Sequence, residues 1–155
     1  MLKVEDVYRN ITLKPSLVNA EDTLDVVKEK IARGSPVNRS VYVVNRELSL
    51  LGIITLQELL RVLAVNASVR GGKKMSKGKL LEFISKDTLA EDIMIAPVSV
   101  STSDSLTTAL ELFMRHSLEE LPVVDETGKV IGDLDAYELI AGIDEKNPSH
   151  DPNGS

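Results

Sequence analysis

The feature that most constrains this chain is an internal repeat. The stretch Gly52 to Leu60 reads Gly-Ile-Ile-Thr-Leu-Gln-Glu-Leu-Leu, and a weaker copy at Gly132 to Ile140 reads Gly-Asp-Leu-Asp-Ala-Tyr-Glu-Leu-Ile. A second pattern, Val18 to Leu24, recurs 82 residues later at Val100, close to the 80 residues that separate the two glycines. A chain that repeats patterns at a near-constant spacing builds one structural unit twice. The fold therefore has to consist of two similar halves.

Each copy of the pattern predicts the order strand, helix, strand, strand, helix. In the first copy, Val41 to Val44 and Leu50 to Ile54 are rich in β-branched and apolar residues, with the polar turn Asn45 to Ser49 between them. Apolar residues at helical spacing then predict a helix from Thr55 to about Val65.

The second copy repeats this order with a helix that has a fully apolar side. That side consists of Leu106, Ala109, Leu110, Phe113 and Met114. A hairpin follows, with strands at Leu121 to Val124 and Val130 to Leu134, and a helix from Ala136 to Ile143 closes the copy. The predicted fold class is α/β in its mixed α+β form, with two βαββα repeats.

Domain boundaries follow from the repeat. We assign residues 1–66 to the first repeat, 67–88 to a basic linker with a short helix, 89–143 to the second repeat, and 144–155 to a polar tail that we expect to be disordered. A single copy is too small to bury both faces of its sheet and helices. We therefore expect the two repeats to pack together about a pseudo-twofold axis.

Composition excludes several classes of function. The chain has 155 residues, a net charge of −6, no cysteine, and only two histidines, His116 and His150. Without cysteine it has no disulfide, thiolate nucleophile or cysteine-based zinc site. No sequence motif sets a histidine beside a serine or carboxylate, and no glycine-rich phosphate loop has the required lysine spacing. We therefore predict that the chain is not an enzyme.

Charge and hydropathy argue against nucleic-acid and membrane roles. The chain is acidic overall and has no tryptophan, so it offers few platforms for base stacking. Its apolar runs are too short to span a membrane and its N-terminus lacks a signal pattern, which predicts a cytoplasmic protein. The basic stretch Arg70 to Lys79 is interpreted either as a solvated loop or as a mobile lid or contact for an anionic ligand or partner.

The pair Thr55 and Glu58 has two interpretations. In a capping box, the threonine side chain bonds the amide of the third helical residue, and the glutamate reaches back to the threonine amide. In a binding site, a hydroxyl at a helix N-terminus lies beside unpaired amides and the positive end of the helix dipole, where a phosphate binds well. The sequence leaves both interpretations open.

Together these motifs resemble a tandem pair of CBS domains, the cystathionine-β-synthase motif whose pairs are called Bateman modules. The resemblance covers roughly Val4 to Ile143. It rests on the Leu-Pro-Val-Val-Asp strand at Leu121, the Asp-Ser-Leu helix start at Asp104, the Glu-Asp-Ile-Met lead-in at Glu91, and the Gly-Ile-Ile-Thr-Leu-Gln-Glu-Leu-Leu element at Gly52.

The resemblance implies an adenosine-containing ligand in a cleft between the repeats. Thr55 would bond the phosphate, and Glu58, at a position where the family usually has Asp, would bond the ribose hydroxyls. The adenine would be surrounded by side chains and backbone groups of Ser16, Leu17, Val18 and Val41. Arg39 is interpreted either as a basic phosphate contact or as a solvated turn residue.

The second copy departs from this pattern through its acidic residues. The residues of this degenerate second site are Asp135, Glu138 and Leu121, with Glu119 and Glu120 in place of Arg39 and Ser40. Carboxylates repel a phosphate, and Asp135 is itself a good helix cap, so we expect this cleft to reject AMP and ATP. Three uses stay open: a structural role, an adenosyl group without phosphate, or Mg²⁺ held by Asp135, Glu119 and Glu120.

The sequence thus favours a regulatory module that senses AMP, ADP or ATP and transmits a conformational change to an effector protein or through a homodimer, as the resemblance implies. S-adenosylmethionine and Mg²⁺ are further candidate ligands, and no cofactor is expected to be obligatory. Two alternatives stay open. One is a Mg²⁺-responsive module of ion homeostasis, and the other is a ligand-free adaptor in which Thr55 is only a helix cap.

Overall fold

Two three-stranded sheets carry the two copies of the repeat. The computed structural model describes residues 2–10, 14–34, 40–71 and 88–145. The two sheets have the same construction, since the first strand pairs in parallel with the second and the second pairs antiparallel with the third. The predicted α+β fold class is confirmed.

The first copy follows the predicted order of elements. It consists of β1 Leu17–Asn19, α1 Leu24–Arg33, β2 Ser40–Val44, β3 Leu50–Thr55 and α2 Leu56–Gly71. Helix α2 continues beyond its expected end at Val65 and enters the segment assigned to the linker. The reason lies in the sequence, because no proline or glycine interrupts the helix before Gly71.

The second copy also follows the predicted order. A short helix α3 Ala90–Ile93 precedes it, and the copy consists of β4 Val100–Ser101, α4 Leu106–His116, β5 Glu120–Val124, β6 Val130–Asp135 and α5 Ala136–Glu145. Helix α5 extends past Ile143, so the first residues of the predicted tail are helical instead of disordered. On α4 the apolar side is wider than the face that packs, because Leu110 and Met114 remain 40% and 73% exposed.

One face of the first sheet forms an apolar core. Its buried members are Val18, Val27, Val41, Val43, Ile54 and Ala90. Val41 and Val43 alternate along β2, as expected for a strand with one face turned to the core. Burial of side chains of this size stabilises a fold by about 1.5 to 3 kcal/mol each, so this face is fixed by packing.

Each copy is preceded by a short segment, here called its lead-in, which contains Val4 and Glu5 before the first copy and Ala90 to Ile95 before the second. Each lead-in belongs to the compact unit that contains the other copy. One unit comprises Met1–Pro15 and Val98–Ser155, and the other comprises Ser16–Pro97. The compact units therefore differ from a division at the repeat boundaries. The boundaries 1–66 and 89–143 and the pseudo-twofold packing of the repeats stay predictions.

Equivalent backbone hydrogen bonds hold the two lead-ins. In the unit Ser16–Pro97, the amides of Ala90 and Glu91 donate to the carbonyls of Asp22 and Ala20, over 2.7 and 3.1 Å. In the other unit the same bonds are Val4 to Asp104, at 2.8 Å, and Glu5 to Thr102, at 3.0 Å. Each lead-in thus docks on the loop between the first strand and the first helix of a copy.

Some predicted features lie outside the described residues. They are Arg39, the linker from residue 72 to residue 87 with its short helix, and the tail from residue 146 onward. Among the residues that the structure does describe, no helix is both long enough and apolar enough to cross a membrane.

Candidate functional site

The N-terminus of α2 is built where β3 runs directly into the helix. Thr55 is the last residue of β3 and lies opposite Ser40, the first residue of β2. The Oγ1 atom of Thr55 accepts a hydrogen bond from the Glu58 amide over 3.0 Å. This half of the predicted capping box is therefore formed. The hydroxyl proton of Thr55 is not used by this bond and can still be donated.

The Glu58 side chain does not complete the box within the described part of the chain. Its Oε1 atom accepts a hydrogen bond from the Arg61 guanidinium one turn further along α2. The Glu58 side chain is 23% exposed and that of Arg61 is 66% exposed. The Glu58 carboxylate therefore lies partly exposed at the rim of the helix start, paired with Arg61.

The sheet face opposite the core carries polar groups close to Thr55. Because side chains alternate along a strand, Ser40 and Tyr42 share this face with Ile53 and Thr55, their partners on β3. Both Ser40 and Tyr42 are buried. Tyr42 was not among the predicted site residues, although the period of two along β2 places it two residues from Ser40.

The residues predicted to surround the adenine divide into two groups. Ser16 and Leu17 are half-buried, and the Ser16 carbonyl accepts from the Tyr42 amide over 2.9 Å. Val18 and Val41 are instead 2% and 0% exposed and belong to the apolar core. Since their side chains pack in that core, only backbone groups of Val18 and Val41 remain for a ligand.

The second copy closes the equivalent helix start with a complete box of two acids. The Glu138 amide donates to Asp135 Oδ1 over 2.8 Å, and the Asp135 amide donates to Glu138 Oε1 over 3.0 Å. The amide of Ala136, the first residue of α5, donates to the Glu119 carbonyl over 2.9 Å. Asp135 and Glu138 are both buried, and their carboxylates stabilise the start of α5 through these bonds to its amides.

In the second sheet, acidic side chains occupy the face that carries Ser40 and Tyr42 in the first sheet. Glu120 lies opposite Asp135 and shares its face of the hairpin with Asp133, and both Glu120 and Asp133 are 1% exposed. Leu121 points to the other side and is fully buried. A phosphate at this position would meet several carboxylates, and like charges at short range repel strongly where water is excluded. Asp133 was missed because a lone acid inside a strand resembles a solvent-facing residue.

The acids predicted as a possible metal site are not arranged as one. Glu119 is exposed whereas Glu120 and Asp135 are buried. Across residues 2–10, 14–34, 40–71 and 88–145, no group of three or more His, Asp or Glu side chains is positioned to hold a metal ion. The metal interpretation of the second copy therefore gains no support from the geometry.

Comparison with known proteins covers both copies. The model of the CBS domain family matches residues 4–65 and 90–145. A solved CBS domain-containing protein from Thermotoga maritima is 30% identical, with a TM-score of 0.74, and the match covers 94% of this chain and 96% of that one.

Two further solved structures are more distant in sequence. CBSX2, solved in complex with AMP and known from Arabidopsis thaliana, is 22% identical with a TM-score of 0.67, over 94% of this chain and 98% of that one. A CBS domain pair solved with 5′-methylthioadenosine and S-adenosyl-L-methionine is 16% identical with a TM-score of 0.68, over 95% and 99%.

Among curated proteins, the chain resembles inosine-5′-monophosphate dehydrogenase of Thermoplasma acidophilum. The two are 24% identical over 143 residues, which cover 86% of this chain and 28% of the relative. The chain thus spans little more than a quarter of the length of this relative.

Proposed function

Because the chain belongs to the CBS domain family, as its motifs suggested, we propose that it is a regulatory module that binds an adenine nucleotide at the N-terminus of α2. The observation that carries the proposal is the half-open capping box at Thr55. Its hydroxyl satisfies the helix and keeps a proton to donate. The AMP complex of CBSX2, a protein of the same fold, supports an adenosine-containing ligand.

The two interpretations of Thr55 are compatible in this geometry. A hydroxyl has one donor and two acceptor positions, so one lone pair caps the Glu58 amide while the proton bonds a phosphate oxygen. The first amides and the positive end of the α2 dipole add to the attraction for an anion. A phosphate at this helix start thus has several donors without disturbing the cap.

Neighbouring residues would contact the ribose and the adenine of the nucleotide. Glu58, held at the rim by Arg61, would accept hydrogen bonds from the ribose hydroxyls. Ser16 and Leu17 at the start of β1, which are half-buried, would contact the adenine. We assign the nucleotide to the first copy, since the acids of the second disfavour a phosphate.

A path for the signal starts at β3. The Ile53 amide and carbonyl exchange hydrogen bonds of 3.1 and 2.8 Å with Ile95 in the lead-in to the second copy. Ile53 lies two residues before Thr55, on the same face of β3. Nucleotide binding would change the position of this lead-in to the extent that one conformation binds the nucleotide more tightly than another.

The output would pass to an effector protein or to a second copy of the chain. Large apolar side chains remain exposed on three helices: Leu60 and Val65 on α2, Leu110 and Met114 on α4, and Tyr137 and Ile140 on α5. Exposed apolar groups of this kind are typical of protein contacts. We propose that the chain forms a homodimer. We expect Met114→Glu to shift the protein toward the monomer, and light scattering measures this shift.

The central experiment is a thermal-shift panel with AMP, ADP, ATP, S-adenosylmethionine and Mg²⁺. A ligand at a hundred times its dissociation constant adds about 2.7 kcal/mol to the free energy of unfolding, which raises Tm by several degrees. We expect this shift with a phosphorylated adenosine and its loss in Thr55→Ala. Thr55→Asp is the sharper variant, because Asp caps a helix as well as Thr but repels a phosphate.

A matched control separates capping from binding. Ser105 caps α4 in the same way, since its Oγ accepts from the Thr108 amide over 3.1 Å. Ser105→Ala should therefore cost about 1 kcal/mol, as Thr55→Ala does, but leave every nucleotide shift intact. A nucleotide shift that survives in Thr55→Asp would contradict the proposed site, because the nucleotide would then bind elsewhere. No shift with any nucleotide would contradict it too and favour the ligand-free adaptor.

A further inference from the structure

A separate cavity opens at the end of the first sheet that lies away from Thr55. It has a volume of about 280 Å³, and β1 and β2 end at its floor. Its lining includes Glu21, Asp22, Val44, Asn45, Arg46 and Leu51. The carboxyl ends of neighbouring parallel strands are a frequent place for ligand sites in α/β proteins.

Two opposite charges lie on different loops of this cavity. Glu21 follows β1 and Arg46 follows β2, and both are exposed. Among the described residues neither takes part in an ion pair or a side-chain hydrogen bond. Their charges are thus available to a ligand that carries a negative and a positive group.

Two other polar side chains of the lining, Asp22 and Asn45, accept hydrogen bonds within their own loops. Asp22 Oδ2 accepts from the Asn19 amide over 2.8 Å, which shapes the loop after β1. Asn45 Oδ1 accepts from the amides of Glu47 and Ser49, both over 2.9 Å, which shapes the hairpin after β2. The Asn45 side-chain amide group keeps its donors, and Asn45 lines the cavity next to Arg46.

We infer that this cavity binds a small zwitterion of amino-acid size. A carboxylate would bond the Arg46 guanidinium, which favours paired hydrogen bonds to carboxylates, and an ammonium group would bond Glu21. The volume lies just below the usual range for drug-sized ligands, which favours a small metabolite. The apolar floor, formed by Val44 and Leu51, suits the carbon skeleton of such a molecule.

The second copy shows that these charges are particular to this cavity. At the equivalent positions, Glu126 stands in place of Arg46 and Ser103 in place of Glu21. The backbone pattern is repeated but the pair of charges is not. The two second-copy residues therefore provide matched control positions within the same chain.

The cavity is also connected to the lead-in. The carbonyls of Ala20 and Asp22 accept from Glu91 and Ala90, and the same lead-in bonds β3 at Ile53. A ligand between Glu21 and Arg46 would therefore contact a loop that holds this segment. The site is distinct from the one at Thr55, and its occupation does not depend on a nucleotide.

The test is an NMR titration of the ¹⁵N-labelled full chain with each standard amino acid, without nucleotide. We expect saturable shifts of the Glu21 and Arg46 amides and their neighbours with at least one amino acid. The N-acetyl and carboxamide derivatives, which each lack one charge, should bind about fivefold more weakly, the equivalent of one favourable exposed ion pair. Arg46→Gln and Glu21→Gln should weaken binding by about the same factor.

The controls are Glu126→Gln and Ser103→Ala, which should leave the affinity unchanged. Thr55→Ala should also leave it unchanged, so a failure of the nucleotide site and a failure of this site are distinguishable. All substituted side chains but Thr55 are surface groups, and unchanged spectra elsewhere verify that the variants fold. The inference is overturned if no amino acid gives a saturable shift, or if binding persists undiminished in the Arg46→Gln, Glu21→Gln double variant.

Discussion

The two copies start their last helix with the same geometry and different chemistry. In the first copy the Thr55 hydroxyl caps α2, and Glu58 turns away toward Arg61. In the second copy Asp135 and Glu138 bond each other's amides and are buried. The half-open box leaves the Thr55 hydroxyl proton unused and pairs the Glu58 carboxylate with Arg61, whereas in the closed box both acids bond amides of the helix start. Repetition thus preserves the backbone while the side-chain chemistry of the helix start changes.

The lead-ins differ in a similar way. Both dock through equivalent backbone bonds, but Met94 lies on Gly52 in one unit and Tyr8 lies on Gly132 in the other. Met94 is a flexible thioether, while the Tyr8 ring is flat and the Arg9 guanidinium stacks on it, 4.8 Å from the ring centre. The same glycine position therefore accommodates two different contacts.

The largest expected effect concerns Gly132. A Cβ atom added there would overlap the Tyr8 ring, and all its nearest neighbours belong to that ring. We expect Gly132→Ala to lower the free energy of unfolding by about 3 kcal/mol, at the upper end for overpacking. Urea denaturation should show that most of this loss disappears when Tyr8 is already Ala, with a coupling of about 2 kcal/mol.

The equivalent cycle in the first copy sharpens the comparison. A Cβ at Gly52 would lie 2.5 Å from Met94 Sδ but also 2.8 Å from the Ile95 carbonyl oxygen, which is backbone. Removal of the Met94 side chain therefore relieves only part of the overlap. Equal coupling in the Gly52–Met94 and Gly132–Tyr8 cycles would contradict this account of the two lead-ins.

The second effect concerns the two boxes. Asp135→Ala removes the acceptor of the buried Glu138 amide, and we expect a loss of about 2 kcal/mol, since a buried donor is left unsatisfied. Thr55→Ala, at a half-buried cap, should cost about 1 kcal/mol. The measurement is urea denaturation of both variants at neutral pH.

Asp135→Asn is the control for this difference. Asparagine caps a helix as well as aspartate but carries no charge, so most of the stability should be retained. If Asp135→Ala costs no more than Thr55→Ala, the burial of the closed box contributes nothing to the difference between the copies.

Sequence reasoning predicted the elements well because they depend on local signals. The repeat of Gly52 at Gly132, the β-branched runs and the Thr55 cap are all read over a few residues, and the structure has them in the predicted order. The docking of each lead-in was not predicted, since contacts such as Tyr8 on Gly132 join segments far apart in the sequence. Nothing local in the lead-in indicates which sheet it will meet.

The candidate site was predictable only in part, for a related reason. The strand period identifies which residues share a face, but the buried acids Glu120 and Asp133 look like solvent-facing residues in the sequence. Val18 and Val41 were assigned to the adenine, although their side chains pack in the core. Which face of a strand is covered depends on the fold as a whole.

The third effect concerns the two hairpin turns. Leu48 has a φ of 66° and the equivalent Gly128 a φ of 85°, so both adopt the left-handed region. A residue with a Cβ atom adopts this region at a cost of about 1 to 2 kcal/mol, which glycine avoids. Glycine also makes the unfolded chain more flexible, and this entropy offsets part of the stabilisation. We expect Leu48→Gly to stabilise the protein by about 1 kcal/mol, measured by thermal unfolding.

The reciprocal variant is Gly128→Ala, which should destabilise by about 1 kcal/mol. Nothing lies within 4 Å of a Cβ at Gly128, so no overlap contributes and the effect is conformational. Destabilisation by Leu48→Gly would instead mean that the half-exposed Leu48 side chain makes a stabilising contact.

The smallest expected effect is a difference between the same two turns in how their stability depends on pH. Asp125 Oδ1 accepts from the Thr127 hydroxyl, the Thr127 amide and the Lys129 amide, whereas Asn45 accepts from two amides in the first hairpin. The Thr127 hydroxyl bond, aided by the Lys129 amide, holds the pKa of Asp125 below its ordinary value. A depressed carboxyl pKa contributes stability that is present above the ordinary value and is lost as pH falls through the lowered one.

We therefore expect the second hairpin to loosen below about pH 4, while the first, whose Asn45 does not titrate, stays unchanged. Amide hydrogen exchange at Thr127 and Ser49, followed from neutral to acid pH, measures the two turns side by side. Asp125→Asn should remove the acid response of the second turn, and Asn45→Asp should introduce one into the first. An equal acid response of both turns in the unmodified protein would show that the carboxylate is not its source, and the difference in turn chemistry between the copies would then have no consequence for stability.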